Sequence, residues 1–376
     1  MRHLSVAVIV ALAFASPLAL RAAAPSAPAS VPITDATPDP ATLPLDDGEG
    51  RKVAEELASE LVKNFVVPAN ARDYAAMLRA NSAAGRYDRG TRGDLAKRMT
   101  DDLLAVHKDG HLHVQVAGPP QEGGASNGVP KKWPPLIQSA KWLAPGIAYI
   151  RPTAFMSTDE EIAAFAKFMD EHKEAKTMIF DLRNHHGGRL GEMDVIFPYL
   201  FAAKTPLVKM EVSRATYDEN GSPIPDVPTT ERAMGAELVT TTHSAVPGPE
   251  TPLREAKVLL LTSNATASAG EHFALAMKSS ARGTLIGEAT AGANHFGGLG
   301  ELGEHFAVWM PVGRTYDIKT GEDWEGAGIA PDVAVDPKQA LVVALERAGL
   351  SHEEAVRLDA TEVPAEPVHK DKLRAR

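Results

Sequence analysis

The sequence predicts an α/β protein in which a small helical domain precedes a layered α/β body. Apolar residues fall at helical spacing from Gly48 to Phe65 (Val53, Leu57, Leu61, Val62, Phe65), and two more helical runs follow, Ala71 to Ala80 and Arg92 to Val106. Beyond Gly146 the pattern changes. A strand (Gly146 to Ile150), a helix (Asp159 to His172) and a second strand (Thr177 to Leu182) alternate, as in a layered α/β domain. Further on, the apolar run Val258 to Thr262 passes through small residues into a helix from Glu271 to Ala281. Thr284 to Gly292 reads as a strand running into a small-residue loop, Glu304 to Pro311 as a strand, and Pro337 to Ala348 closes the fold as a helix. Ala215 to Glu255 is polar and Pro-rich, and reads as a lid or a substrate-facing excursion.

The 376 residues suffice for two or three domains. A formal charge of -10 argues against nucleic acid as the main partner. The chain has no cysteine, which excludes disulfides, thiolate nucleophiles and cysteine metal sites. Residues 1–24 read as a signal peptide: Arg2 and His3 lead an apolar run from Leu4 to Leu20, and small residues suit cleavage at Ala22 to Ala24 or Ala27 to Ala29. The expectation is an exported protein, periplasmic or secreted, with no stable membrane insertion after cleavage. The expected divisions are a disordered linker over 25–45, the helical domain over 46–115, a Gly/Pro-rich connection over 116–140, the α/β body over 141–350 and a tail over 351–376.

Three stretches carry chemistry. Ser268 stands where a strand hands over to a helix, between residues too small to shield its hydroxyl, and the new helix directs N–H groups at whatever that oxygen attacks. With Glu271 it also forms an S-x-x-E capping box, which starts a helix without any chemistry and is the commoner meaning of that pattern. The buried strand ending at Leu182 runs into Arg183-Asn184-His185-His186-Gly187-Gly188, where paired glycines permit positive φ and a turn whose N–H groups suit an oxyanion. Asp181 and Arg183 read as a structural ion pair, and His185 and His186 as structural or surface groups. His111 lies just past the Asp109-Gly110 turn and can reach into a cleft. His107, His111 and His113 have a spacing that could hold zinc, but no H-E-x-x-H helix supports it, so no metal or other cofactor is expected. Glu325 sits between Trp324 and Gly326 in a turn-rich segment, as a loop carboxylate would.

In order, these segments resemble the S41 serine peptidases, the tail-specific or C-terminal processing protease superfamily. The carriers are Asp109-Gly110-His111-Leu112, Asp181-Leu182-Arg183-Asn184 with Gly187-Gly188, Thr266-Ala267-Ser268-Ala269-Gly270-Glu271, Gly287-Glu288-Ala289-Thr290-Ala291-Gly292 and Gly328-Ile329-Ala330-Pro331-Asp332-Val333. Within that superfamily the chain looks most like the branch containing the tricorn core and the interphotoreceptor retinoid-binding protein domains, without a PDZ module. The resemblance implies a ClpP/crotonase-like layered body. It implies Ser268 as nucleophile, His111 as base and Glu325 as orienting carboxylate. Ala269 supplies one oxyanion N–H, and either Gly187 or Gly188 supplies the other. The processing proteases proper pair serine with lysine; Ala293 holds that place here, and Lys278 lies ten residues down the helix on another face. The serine that precedes the His in tricorn is Gly110 here.

The function that follows is an exported serine endopeptidase acting on protein or peptide substrates through an acyl-enzyme. The alternative is a non-catalytic carrier of apolar ligands, retinoid or lipid, on the same scaffold.

Overall fold

The computed structural model describes residues 39–118 and 135–364. Most of the expected signal and linker region, most of the connecting segment and the end of the tail lie outside the described residues. Three helices open the fold: α1 (Glu49–Asn64), α2 (Pro68–Ala83) and α3 (Arg92–Val106). The i, i+4 ladder Val53, Leu57, Leu61 is buried along α1. Thr91 and Asp94 start α3 with a reciprocal capping box.

The chain continues through β1 (His113–Val116), β2 (Ile137–Ala144), β3 (Ile147–Pro152), α4 (Asp159–Glu171), β4 (Thr177–Asp181), α5 (Gly191–Leu200) and β5 (Thr205–Ser213). Then come α6 (Arg214–Asn220), β6 (Thr230–Met234), β7 (Leu238–Ala245), β8 (Lys257–Thr262), α7 (Ala269–Ser279) and β9 (Thr284–Gly287). It ends with β10 (Phe296–Leu302), β11 (Phe306–Asp317), β12 (Val333–Ala334), α8 (Ala340–Arg347) and α9 (His352–Asp359).

Two sheets result. One has the order β12-β9-β8-β4-β3-β2 and is parallel except for the β2–β3 hairpin. All five residues of β4 and the last five of β8 are buried, as expected of parallel strands covered on both faces. Residues of α4, α5 and α7 cover one face (Phe165, Met169, Phe197, Phe273), and residues of α8 and α9 cover the other (Leu341, Leu345, Ala355). The second sheet is antiparallel, β1-β11-β5-β7-β6 with β10 also on β11. Asp181 and Arg183 do pair, at 2.7 Å, and Tyr149 adds a hydroxyl at 2.7 Å and Arg151 a second cation at 3.1 Å.

Several boundaries differ from the sequence reading. Ala215 to Glu255 is not one continuous loop: α6 ends within it, β6 and β7 extend the antiparallel sheet, and it is Ser222–Val227 that lines the cleft. The expected tail contains α9, whose Ala355 is fully buried, and the carboxyl group of Glu362 pairs with Lys141. The body begins earlier than residue 141, since β2 starts at Ile137. The expected boundary at 115 cuts through β1, which is paired with β11, while the core of α1–α3 also takes in Phe306, Val308 and Met310 of β11.

Candidate active site

Because β4 and β8 are neighbours, with Asp181 opposite Leu261, the segments leaving their carboxyl ends emerge side by side. One is the glycine turn, the other the turn that carries Ser268. Ser268 is exposed and has φ 52° and ψ -117°, a strained conformation for a residue with a side chain. Such a strand-to-helix elbow lifts the Oγ clear of the sheet. The capping reading is satisfied without the hydroxyl: Glu271 Oε2 accepts the Ser268 N–H at 2.8 Å, and the Glu271 N–H donates to the Ser268 main-chain oxygen at 2.8 Å.

Gly187 and Gly188 approach as closely as backbone can. A Cβ at Gly187 would lie 2.6 Å from Ser268 Cβ, and one at Gly188 would lie 1.9 Å from the Phe155 carbonyl oxygen. Their φ values, 104° and 127°, suit glycine alone. The two N–H groups differ. That of Gly187 donates to His185 Nδ1 at 3.2 Å, whereas that of Gly188 has no hydrogen-bond partner among the described residues. The N–H of Ala269, at the first position of α7, is likewise unspent. Burial holds the fully buried His185 imidazole down at about 3, so it is neutral and accepts the Gly187 N–H.

Next to Ser268 lies a cavity of about 750 Å3. Leu190, Met210, Ile224, Phe296, Val312 and Trp324 give it apolar walls. His272, one turn after Ser268, also lines it and is held by a buried His243, which faces Asp194 Oδ1 at 3.2 Å. Burial keeps His272 well below the ordinary imidazole range.

The second half of the site is a pair. His111 Nδ1 donates to Glu325 Oε1 at 2.9 Å, and this bond, ahead of the opposing effect of burial, raises the pKa of the imidazole. The ring leans on Trp309, 5.1 Å between centroids. Glu325 Oε2 accepts the N–H groups of Asn294 and His295, both at 2.8 Å. No hydrogen bond joins His111 to Ser268 Oγ among the described residues.

A single loop links the halves. Glu271, completely buried below Ser268, accepts Thr290 Oγ1–H (2.6 Å) and the N–H groups of Gly292 (2.8 Å) and Ala293 (2.9 Å). The next two N–H groups go to Glu325. Successive amides of residues 292–295 are thus shared between a carboxylate under the serine and a carboxylate behind the histidine. Sequence reasoning took Glu271 only as a capping residue, and missed Asp109 and His295, which meet at 2.8 Å.

The zinc spacing is not realised. His107 faces Asp73, His113 Nδ1 faces the His111 carbonyl oxygen, and His111 is turned to Glu325. Asp109, His295 and Glu325 offer ligand-type atoms within 4.8 Å of one another, but both carboxylates already accept N–H groups and the His295 ring is turned to Asp109. Asp46, Glu49 and His305 also cluster, but both carboxylates pair with the Arg92 guanidinium and His305 is turned to Glu49. Lys278 is paired with Asp332 at 2.9 Å.

A hydroxyl on a strained elbow, two free amides and a carboxylate-bound imidazole make up the class of site used for serine acyl transfer. Residues 146–335, half of the chain, match the model of peptidase family S41. The protein belongs to peptidase family S41, a family of serine-type peptidases. It is 28% identical over 206 residues to the chloroplastic C-terminal processing peptidase of Tetradesmus obliquus; the match covers 53% of this chain and 38% of that relative's length. Its fold is shared with a putative peptidase from Parabacteroides merdae (18% identity, TM-score 0.56, 80% of this chain and 97% of that one). It is also shared with the photosystem II D1 C-terminal processing protease (15% identity, TM-score 0.51, 81% and 96%). No helix among the described residues is long and apolar enough to cross a membrane.

Proposed function

We propose that the protein is an exported serine endopeptidase that cleaves protein or peptide substrates through an acyl-enzyme. The observation that carries this reading is the strained, exposed Ser268 set against two unspent N–H groups, those of Ala269 and Gly188. Ser268 Oγ attacks the substrate carbonyl carbon while its proton passes to His111 Nε2. The carbonyl oxygen becomes an oxyanion between the Ala269 and Gly188 amides. Glu325 steadies the imidazolium. Collapse breaks the C–N bond as His111 protonates the leaving amine, and water then releases the acyl group by the same route in reverse. Transfer requires the imidazole to close on the hydroxyl when substrate fills the cleft, since such bonds tighten in the substrate complex. The apolar cavity walls supply a surface for substrate side chains. The signal segment at residues 1–24 is the basis for export.

The test is intact-mass analysis of the purified mature protein after treatment with an activated phosphonate, beside turnover of an unfolded-protein substrate. One adduct on Ser268 is expected, and Ser268→Ala should lose both adduct and turnover. Unchanged turnover in Ser268→Ala overturns the assignment. The apolar cavity also fits a carrier, and stoichiometric uptake of retinol with neither labelling nor turnover would favour that second reading.

A further inference from the structure

We infer that Asp109 and His295 form a buried ion pair that clamps His111 and Glu325 into one unit, and that its cationic member offsets the carboxylates surrounding His111. Both are positioning residues, and the inference rests on the peptidase reading. The turn that bears His111 has a glycine, Gly110, just before the histidine and so gets no side-chain anchor from that position. Asp109 provides one. Its Oδ1 accepts the N–H groups of His111 (2.9 Å) and Leu112 (3.2 Å), and its Oδ2 accepts His295 Nδ1–H (2.8 Å). His295 provides the other side, since its main-chain N–H is one of the two that hold Glu325 Oε2. One residue therefore grips the base through Asp109 and the carboxylate through its own backbone.

The surroundings keep His295 charged. Its side chain is only 7% exposed, and it faces Asp109, Glu325 and Asp323, the last 3.8 Å from Nε2. Burial opposes the charge, but the hydrogen bond to Asp109 and the nearby carboxylates of Asp109, Asp323 and Glu325 outweigh it and raise the imidazole to about 9. Asp323 is lowered to about 2, chiefly by His295, and its Oδ2 also pairs with Arg314 at 3.1 Å. The rim of Phe65 completes the enclosure. His111 meets Glu325 and Asp109, which raise its pKa, and His295, which lowers it. Removing the charge on His295 therefore raises the pKa of His111, and the base becomes neutral only at higher pH.

The experiment is the second-order rate of phosphonate labelling of Ser268 against pH, for the full mature chain and for His295→Asn and His295→Leu. Asn keeps an N–H donor without the charge; Leu keeps neither. The acid limb should move up by roughly 0.5–1 pH unit in both variants. At its own optimum His295→Asn should label within a few-fold of wild type, while His295→Leu should be about 10–100-fold slower. A limb unmoved in both variants, whatever the maximal rate, leaves His295 a merely structural group and overturns the inference. If His295→Leu does not fold, the limb of His295→Asn decides. Failure of wild type to label at any pH overturns the assignment of Ser268 instead. The ion pair is then judged by an NMR titration of His295, where a midpoint near 6.5 rather than about 9 overturns it.

Discussion

Ser268 has a backbone conformation that costs about 1–3 kcal/mol for a residue with a side chain, and it is kept there by contacts that Ala267, Gly270 and Glu271 make around it. Gly270 could not be larger, because a Cβ there would sit 2.6 Å from His185 Nδ1. Gly187 is limited in the same way by Ser268 itself. In Gly187→Ala the new methyl meets Ser268 Cβ at 2.6 Å and its φ of 104° becomes strained, so the turn must shift and carry the Gly188 amide with it. Loss of one oxyanion donor costs about 10²–10³-fold in acylation rate. We expect Gly187→Ala to lower turnover and labelling by that order while its thermal midpoint falls only slightly. Activity within three-fold of wild type would contradict this. The groups visible in the sequence were those whose chemistry is local: a serine at a strand–helix junction, a glycine pair after a strand, a histidine after a turn. Asp109, Glu271 and His295 were not legible as a network, because their partners lie up to 186 residues away and meet only through the fold of residues 290–295.

Among the elements, the turn after β3 supports the Gly187–Gly188 turn proposed to bind the oxyanion. Phe155 pairs with Gly188 in an isolated bridge, donating its N–H to the Gly187 carbonyl oxygen at 2.9 Å and accepting the Arg189 N–H at 2.6 Å. Two buried carboxyl groups hold this turn from below: Glu161 of α4 accepts the Met156 N–H, and Glu192 of α5 accepts the N–H and hydroxyl of Ser157, itself at φ 54°. Burial, and then the neighbouring Glu192, push Glu161 up to about 7. The folded form therefore holds a proton that the unfolded chain gives up near 4.5, so stability from this group is full below that pH and declines as pH rises to about 7. Glu161→Gln should leave the thermal midpoint at pH 5 unchanged and raise it at pH 8. Equal midpoints for variant and wild type at pH 8 would refute the raised pKa of Glu161. The strands of the parallel sheet were legible because they are apolar throughout. The β6–β7 hairpin was not, because β7 buries Thr241 and His243 beside Val239, so a polar sequence concealed an inward face.

At the level of the whole molecule, the sequence suggested a helical domain that could be separated from an α/β body, and packing gives a different division. Leu57, Leu61 and Leu78 of the helices share one core with Leu302, Phe306, Val308 and Met310 of the antiparallel sheet. The Val66 N–H bonds to the Pro311 carbonyl oxygen at 3.1 Å, and β1 runs directly from the helices into that sheet. The same strand, β11, presents Trp309 to His111 and pairs with β5, whose Met210 lines the cavity beside Ser268. Loosening the helices must therefore loosen the platform of His111, the proposed base. Leu57→Ala, at a fully buried position, should cost about 2–5 kcal/mol. In a urea titration, loss of helical circular dichroism and loss of phosphonate labelling at Ser268 should move together to lower denaturant, in one transition. A separable helical domain would instead give Leu57→Ala an early helical transition while labelling persisted to the wild-type midpoint, and that result would restore the boundary near residue 115.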